Sequence, residues 1–157
     1  MNLKAKEFIA NGFAKFLLKK EGIVRISRNP KIENQCVFDE PPYVVLNLLE
    51  TNADDLFLWH IEKRHKFKNA RKYSPFFWTI LHEVGHIKAD TEESVEKDKE
   101  MEALVKLLCS IADNEKEWNS SAVLHFEEKS EWDATDWAID YIERHPLISH
   151  IVNYLLT

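Results

Sequence analysis

From Leu3 to Lys20 the apolar residues Leu3, Phe8, Ile9, Phe13, Phe16 and Leu17 recur at helical spacing with lysines between them. This pattern predicts an amphipathic helix closed near Gly22. Three short runs rich in valine and isoleucine follow, at Ile23 to Ile26, Gln35 to Phe38 and Tyr43 to Leu48, with Asn29-Pro30 and Pro41-Pro42 as turns. They predict a small sheet of about three strands, antiparallel because the connections are too short for helical crossovers. Asn52 to Ile61 reads as a short helix with Asp54 and Asp55 in its first turn, where carboxylates complement the helix dipole.

Lys63, Arg64, Lys66, Lys68, Arg71 and Lys72 then gather positive charge in a stretch without apolar periodicity, read as an exposed loop. It is either a solvated connection or a docking surface for an acidic partner. Ser74-Pro75 is a strong helix start, an oxygen-bearing cap followed by proline at the first helical position. The helix it opens, Pro75 to about Ala89, carries Phe76, Phe77, Trp78, Ile80, Leu81, Val84 and Ile87. Apolar nearly all round, it belongs in the core.

An acidic run from Asp90 through Glu102 merges into Leu104, Val105, Leu107, Leu108 and Ile111, a charged helix with one buried stripe. Trp118 to Phe126 reads as loop. Ser130 resembles a cap, with Asp133 three residues on, for a helix over Glu131 to Glu143 that turns Trp137, Ala138 and Ile142 inward. Pro146 opens a last helix, Leu147 to Leu156. The expected class is α+β, a small sheet packed against a buried central helix with several further helices around them.

The 157 residues suit one domain spanning 1–157, and 45% hydrophobic content with only three glycines and five prolines argues against disorder. A net charge of −6 disfavours direct contact with nucleic acid or anionic lipid. Cys36 and Cys109 are too far apart in sequence for a metal or redox motif and read as buried small hydrophobes in a reducing cytoplasm. Near the amino terminus Asn11, Gly12 and Lys15 interrupt the apolar stretch before it reaches signal or membrane length, so neither export nor insertion is expected.

The chemistry concentrates in His82-Glu83-Val84-Gly85-His86, an HExxH motif inside the helix already inferred from Ser74-Pro75. Residues four apart project about 40° from one another around a helix, so both imidazoles can reach one ion. Glu83 sits one step round, where its carboxylate can act as a general base without displacing either nitrogen. A shuffled chain of this composition yields roughly 0.03 to 0.04 such matches, so context has to carry weight. Here the context is apolar: two histidines and a glutamate among Phe, Trp, Ile and Leu cost several kcal/mol unless paired, and a metal pairs all three. The plain alternative is a set of core histidines held by ordinary hydrogen bonds.

Catalytic zinc takes three protein ligands and leaves a position open. A ligand at the sixth residue after His86 would be Glu92, in an acidic solvent-facing run and without a preceding glycine turn, which is a poor solution. A glutamate from a separate helix is the other. Glu131, at the start of the helix that reads Glu131-x-x-Ala134-x-x-Trp137-Ala138, is placed to supply it.

HEVGH followed by EWDATDWA resembles the double signature of the ImmA/IrrE family of small zinc-dependent endopeptidases, HExxH proteins of gluzincin-like type. The resemblance runs from about Leu3 to Ile142, with specificity only in the two motifs. It implies that His82 and His86 bind zinc, that Glu131 completes the site, and that Glu83 is the base. It further implies a protein substrate, a helix-turn-helix (Xre-like) repressor or antitoxin, in the regulation of a phage, mobile element or toxin-antitoxin system. Thr135 stands where the family has another polar residue, Asp90 where it often has histidine, and the interval between motifs is long.

Gly85 within a helix costs roughly 1 kcal/mol relative to alanine, which suggests close backbone packing beside the site. Tyr73 and His125 are candidate donors to a developing oxyanion. Asp90, four residues beyond His86, either orients an imidazole or ends the helix at the surface. His60 and His65 read as exposed flanks of the basic loop, and Trp132 as a residue that could line a substrate cleft. A competing expectation is a non-proteolytic toxin or regulatory module that keeps a structural metal site and binds a protein through its charged surfaces.

Overall fold

A computed structural model of the chain describes residues 2–49, 55–90, 107 and 128–157. In order, the elements are α1 (Leu3–Leu18), β1 (Ile23–Ile26), β2 (Gln35–Val37), β3 (Tyr43–Leu46), α2 (Asp55–Lys63), a 3-10 turn (Ala70–Lys72), α3 (Pro75–Ala89), α4 (Lys129–Arg144) and α5 (Pro146–Leu156). The architecture is α+β. The acidic run after Asp90, the Trp118 to Phe126 stretch, Cys109 and His125 lie outside the described residues, Leu107 apart.

The Asn2 side chain accepts a hydrogen bond from the amide of Ala5 at 2.9 Å and starts α1, which buries Ala10, Phe13, Ala14, Leu17 and Leu18. The chain leaves the helix through Lys19, at φ 55°, rather than through Gly22. Gly22 has a different use. A Cβ there would meet the Pro42 carbonyl oxygen at 3.0 Å and the Ile87 side chain at 3.1 Å, so its missing side chain admits the β3 approach and α3 together.

The sheet corrects the antiparallel expectation. Its order is β1-β3-β2, with β1 parallel to β3 (Ile23 opposite Tyr43) and β2 antiparallel to β3 (Cys36 opposite Val44). No helix is needed for the parallel pair because the path from Ile26 to Tyr43 contains β2, which crosses to the far edge before returning as the central strand. A buried asparagine pair pins that path. The Asn34 side chain accepts from the Asn47 amide at 2.7 Å, and Asn47 Nδ2 donates to the carbonyls of Asn29 and Ile32 at 2.9 and 2.7 Å. Buried backbone groups in the crossover would otherwise go unsatisfied.

Ser74 and Pro75 begin α3 as the sequence predicts, with the Ser74 hydroxyl accepting from the Phe77 amide. Every residue from Phe77 to Gly85 is buried. Each large apolar side chain so placed contributes roughly 1.5–3 kcal/mol. Phe77 stacks on Phe13 of α1, and α3 makes its most extensive packing with α4. Asn153 of α5 closes the other end: its Oδ1 accepts from the Ser74 amide at 2.6 Å and its Nδ2 donates to the Lys72 carbonyl at 3.2 Å.

The basic stretch is only partly the exposed loop that its charges suggest. Its lysines and arginines face solvent, but Phe67 and Ala70 are buried, and the Ala70 carbonyl accepts from the Trp78 indole at 2.8 Å. Its flanking histidines are not exposed. His60 is 1% exposed, and the His65 ring, also buried, stacks on Trp132 at 4.1 Å while Nδ1 lies 2.7 Å from Asp136. An aromatic partner from α4, invisible to local sequence, draws both rings inward. None of the described helices is long and apolar enough to cross a membrane.

Candidate metal centre

α3 and α4 meet at a glycine. A Cβ on Gly85 would stand 2.5 Å from the Ala134 carbonyl oxygen and 3.1 Å from its Cα, so the two backbones touch where the side chain is missing. This is the close packing that glycine within HExxH suggested. The approach brings His82 and His86 of α3 opposite Glu131 of α4, and one donor atom from each lies within 4.8 Å of the others. His82 Nε2 is 2.9 Å from Glu131 Oε2, and His86 Nε2 is 3.4 Å from Glu131 Oε1. Among the described residues this is the one such group of three potential ligands.

Hydrogen bonding fixes which nitrogen of His82 faces inward. The Thr135 hydroxyl donates its single hydrogen to the Glu131 carbonyl at 2.9 Å, so toward His82 it can only accept, and Nδ1 of His82 donates to it at 3.2 Å. In the neutral imidazole Nε2 is then the bare nitrogen, set by the network around it. A lone pair on Nε2 and a carboxylate oxygen facing each other at 2.9 Å require a cation between them, a proton or a metal. Donors about 2.0–2.1 Å from a tetrahedral zinc stand about 3.3–3.4 Å apart; the 3.4 Å from His86 Nε2 to Glu131 Oε1 has that spacing, whereas the 2.9 Å from His82 Nε2 to Glu131 Oε2 is that of a direct hydrogen bond and would open by about 0.4 Å around an ion. The donor set fits zinc, with two imidazoles and one carboxylate leaving a position open.

The surroundings favour a cation. Glu83 is 4% exposed, and the side chains of His82, His86 and Glu131 are only 10–15% exposed. Two carboxylates so placed need compensating charge. Phe57 of α2 closes over His82 with its ring edge-on at 5.2 Å. Cys36 of β2 registers the same field: burial first, then the charges of Glu83, Asp90 and Glu131, push its thiol up to about 12. Held as a thiol, it is a neutral wall, but half-buried rather than the buried small hydrophobe that its isolation in the sequence suggested.

Thr135 was legible only as a departure from the family pattern, although it lies four residues beyond Glu131, on the same helical face, the right place to reach a ligand's second nitrogen. Ser130 is not the cap; α4 begins at Lys129 after Glu128, placing Ser130 and Glu131 in the first turn. Asp90 is the exposed residue that ends α3 and makes no hydrogen bond or ion pair among the described residues. Tyr73 stacks on Phe77 at 5.3 Å, in the aromatic cluster at the start of α3, which is about 10 Å along the helix from His82 and about 16 Å from His86. Trp132 is taken up by His60 and His65.

Fold and site together define an α+β protein in which two touching helices carry two histidines and two glutamates, His82 and Glu83 buried and His86 and Glu131 half-buried. No family model, curated protein or solved structure matches this chain. The resemblance to ImmA/IrrE proteins therefore stands on its two motifs.

Proposed function

We propose that the protein is a zinc-dependent endopeptidase of the ImmA/IrrE type, with His82, His86 and Glu131 as metal ligands and Glu83 as general base. The observation that carries this reading is the convergence of Glu131, 45 residues beyond His86 in sequence, on both imidazoles within 4.8 Å. A zinc ion held there would supply Lewis acidity, polarising a carbonyl and acidifying water.

The chain's own residues do the rest. Thr135 holds His82 in the tautomer that offers Nε2 to the metal, and through its bond to the Glu131 carbonyl ties that imidazole to the helix bearing the third ligand. Glu83, buried one step round α3 from His82, takes a proton from the attacking water onto its carboxylate and returns it to the leaving amine. No covalent acyl-enzyme is required. Phe57 limits solvent around His82, which strengthens every charge interaction within.

The proposed substrate is a helix-turn-helix repressor or antitoxin encoded beside this chain, met in the cytoplasm, as the motif resemblance implies. Purified protein with zinc is incubated with that repressor, using Glu83→Gln as control. Cleavage abolished by chelation and by the substitution supports the reading, whereas equal cleavage by both proteins removes Glu83 from the mechanism. Zinc that raises thermal stability without hydrolysis of any partner favours a metal-stabilised binding module.

A further inference from the structure

The Trp132 indole, one residue beyond Glu131, is gripped by a single short stretch of chain. His60, in the last turn of α2, meets it edge-on at 5.7 Å, the His65 ring lies over its face at 4.1 Å, and the Arg64 guanidinium stands 5.8 Å from its centroid. Lys66, at φ 63°, turns the backbone through the left-handed region, after which the Phe67 amide reaches the Ile61 carbonyl at 3.3 Å and Phe67 is buried. That turn closes the stretch onto the ring. His65 also reaches further along α4, where its Nδ1 donates to Asp136 at 2.7 Å.

Any apolar ring would serve packing alone. An imidazole whose side chain is 1% exposed, stacked on Trp132 and tied at a fixed angle to Asp136, holds α4 at two points one turn apart on one face, and two such points resist rotation of the helix about its axis. Rotation is what the metal centre is sensitive to. At about 100° per residue, Ala134 lies about 60° round α4 from Glu131 on one side and Trp132 about 100° round on the other, so the face carrying Glu131 and Thr135 is bracketed by the Gly85 contact and by His65. The Gly85 contact fixes the separation of α3 and α4, not the turn of α4 about its axis. A roll of about 20° would swing a carboxylate held roughly 6 Å from the axis by about 2 Å, comparable with a whole zinc–oxygen bond. Phe57, three residues before His60 on the same face of α2, meets His82 edge-on at 5.2 Å, so the element that grips Trp132 also touches a ligand on α3.

We infer that His65 is a positioning residue for the metal centre: by stacking on Trp132 and holding Asp136 it sets the turn of α4 that presents Glu131 to the two imidazoles. It touches neither metal nor substrate and acts through Glu131. The inference rests on the ligand set proposed above, His82, His86 and Glu131.

The test is the zinc affinity of the full chain, read by competition with a chelator, with circular dichroism confirming that each variant is folded. His65→Ala is expected to bind zinc about tenfold more weakly or worse. In a Glu131→Ala background the same substitution is expected to change nothing further, because the carboxylate that it positions is gone. Asp136→Ala, at a side chain 57% exposed, weakens binding in the same direction, and Asp136→Asn, which keeps an oxygen to accept, restores it. Native affinity in a folded His65→Ala, or a loss that recurs in full on the Glu131→Ala background, overturns the inference and leaves the ligand set standing. A native chain that takes up no zinc, or a Glu131→Ala protein that binds it as the native chain does, removes the ligand set and the inference with it. Should His65→Ala fail to fold, Asp136→Ala decides: native zinc affinity there overturns the inference.

Discussion

Gly85 of α3 lies against the Ala134 carbonyl of α4 with no room for a methyl group: a Cβ would stand 2.5 Å from that oxygen. Because the obstacle is backbone, no side chain can swing aside, and the helices must part. Gly85→Ala gains helix propensity of roughly 1 kcal/mol and loses the packing, for a net destabilisation of about 1–3 kcal/mol. Urea denaturation measures it. A variant as stable as the native protein would show that the helices tolerate separation.

The same separation moves Glu131 away from the histidines. Gly85→Ala is therefore expected to lose zinc affinity beyond what its stability accounts for, read by competition with a chelator under conditions where both proteins remain folded. Retention of native affinity would show that Glu131, the proposed third ligand, is not under the control of this contact.

Thr135→Val keeps shape and removes the hydroxyl that receives the His82 Nδ1 hydrogen. If the proposed zinc site is right, the variant's zinc affinity is expected to fall by about 10–100-fold, the usual effect of losing a ligand's outer partner, and Thr135→Ser to restore most of it. Equal affinities across the three proteins would show that His82 is oriented by something else.

Glu7, buried on α1, is paired with Arg28. The hydrogen bond from Arg28, Nε at 2.8 Å to Oε1, leads the causes that hold its carboxyl below the usual glutamate value, burial opposing it and the Arg28 and Lys4 charges adding to it. A depressed carboxyl stabilises the fold above its unfolded pKa, and that contribution is lost as pH falls through the folded value. Arg28→Met is expected to move the acid-unfolding midpoint to higher pH. Acid titrations followed by circular dichroism at low and high salt check this; an unmoved midpoint would show that the pair contributes nothing to folding.

Cys36, with its thiol pushed up to about 12, carries roughly a thousandfold less thiolate near neutral pH than an ordinary cysteine. Alkylation of its peptide, followed by mass spectrometry, should be slow in the folded protein and become ordinary in urea. Fast native labelling would contradict the burial and negative field around β2.

The helices, and the two histidines and glutamate that converge between α3 and α4, were readable from local signals. Ser74-Pro75, the apolar run through Val84 and the HExxH spacing act within one or two turns, where periodicity and capping operate. Sheet order was not readable, because β1 pairs with β3 only after the intervening strand has crossed, a choice set by where buried asparagines satisfy the loop. His60 and His65 were misread because composition around them is basic, whereas their burial depends on Trp132, more than sixty positions away.

Sequence alone therefore determined that His82 and His86 share a helical face and that Glu131 opens a separate helix, since both follow from residue spacing along one element. Only the tertiary structure decided that those helices touch at Gly85, that Thr135 serves His82, and that α5 turns its apolar face outward. These are relations between distant segments, fixed by backbone clearance and by the need to partner buried polar atoms, and no local pattern encodes them.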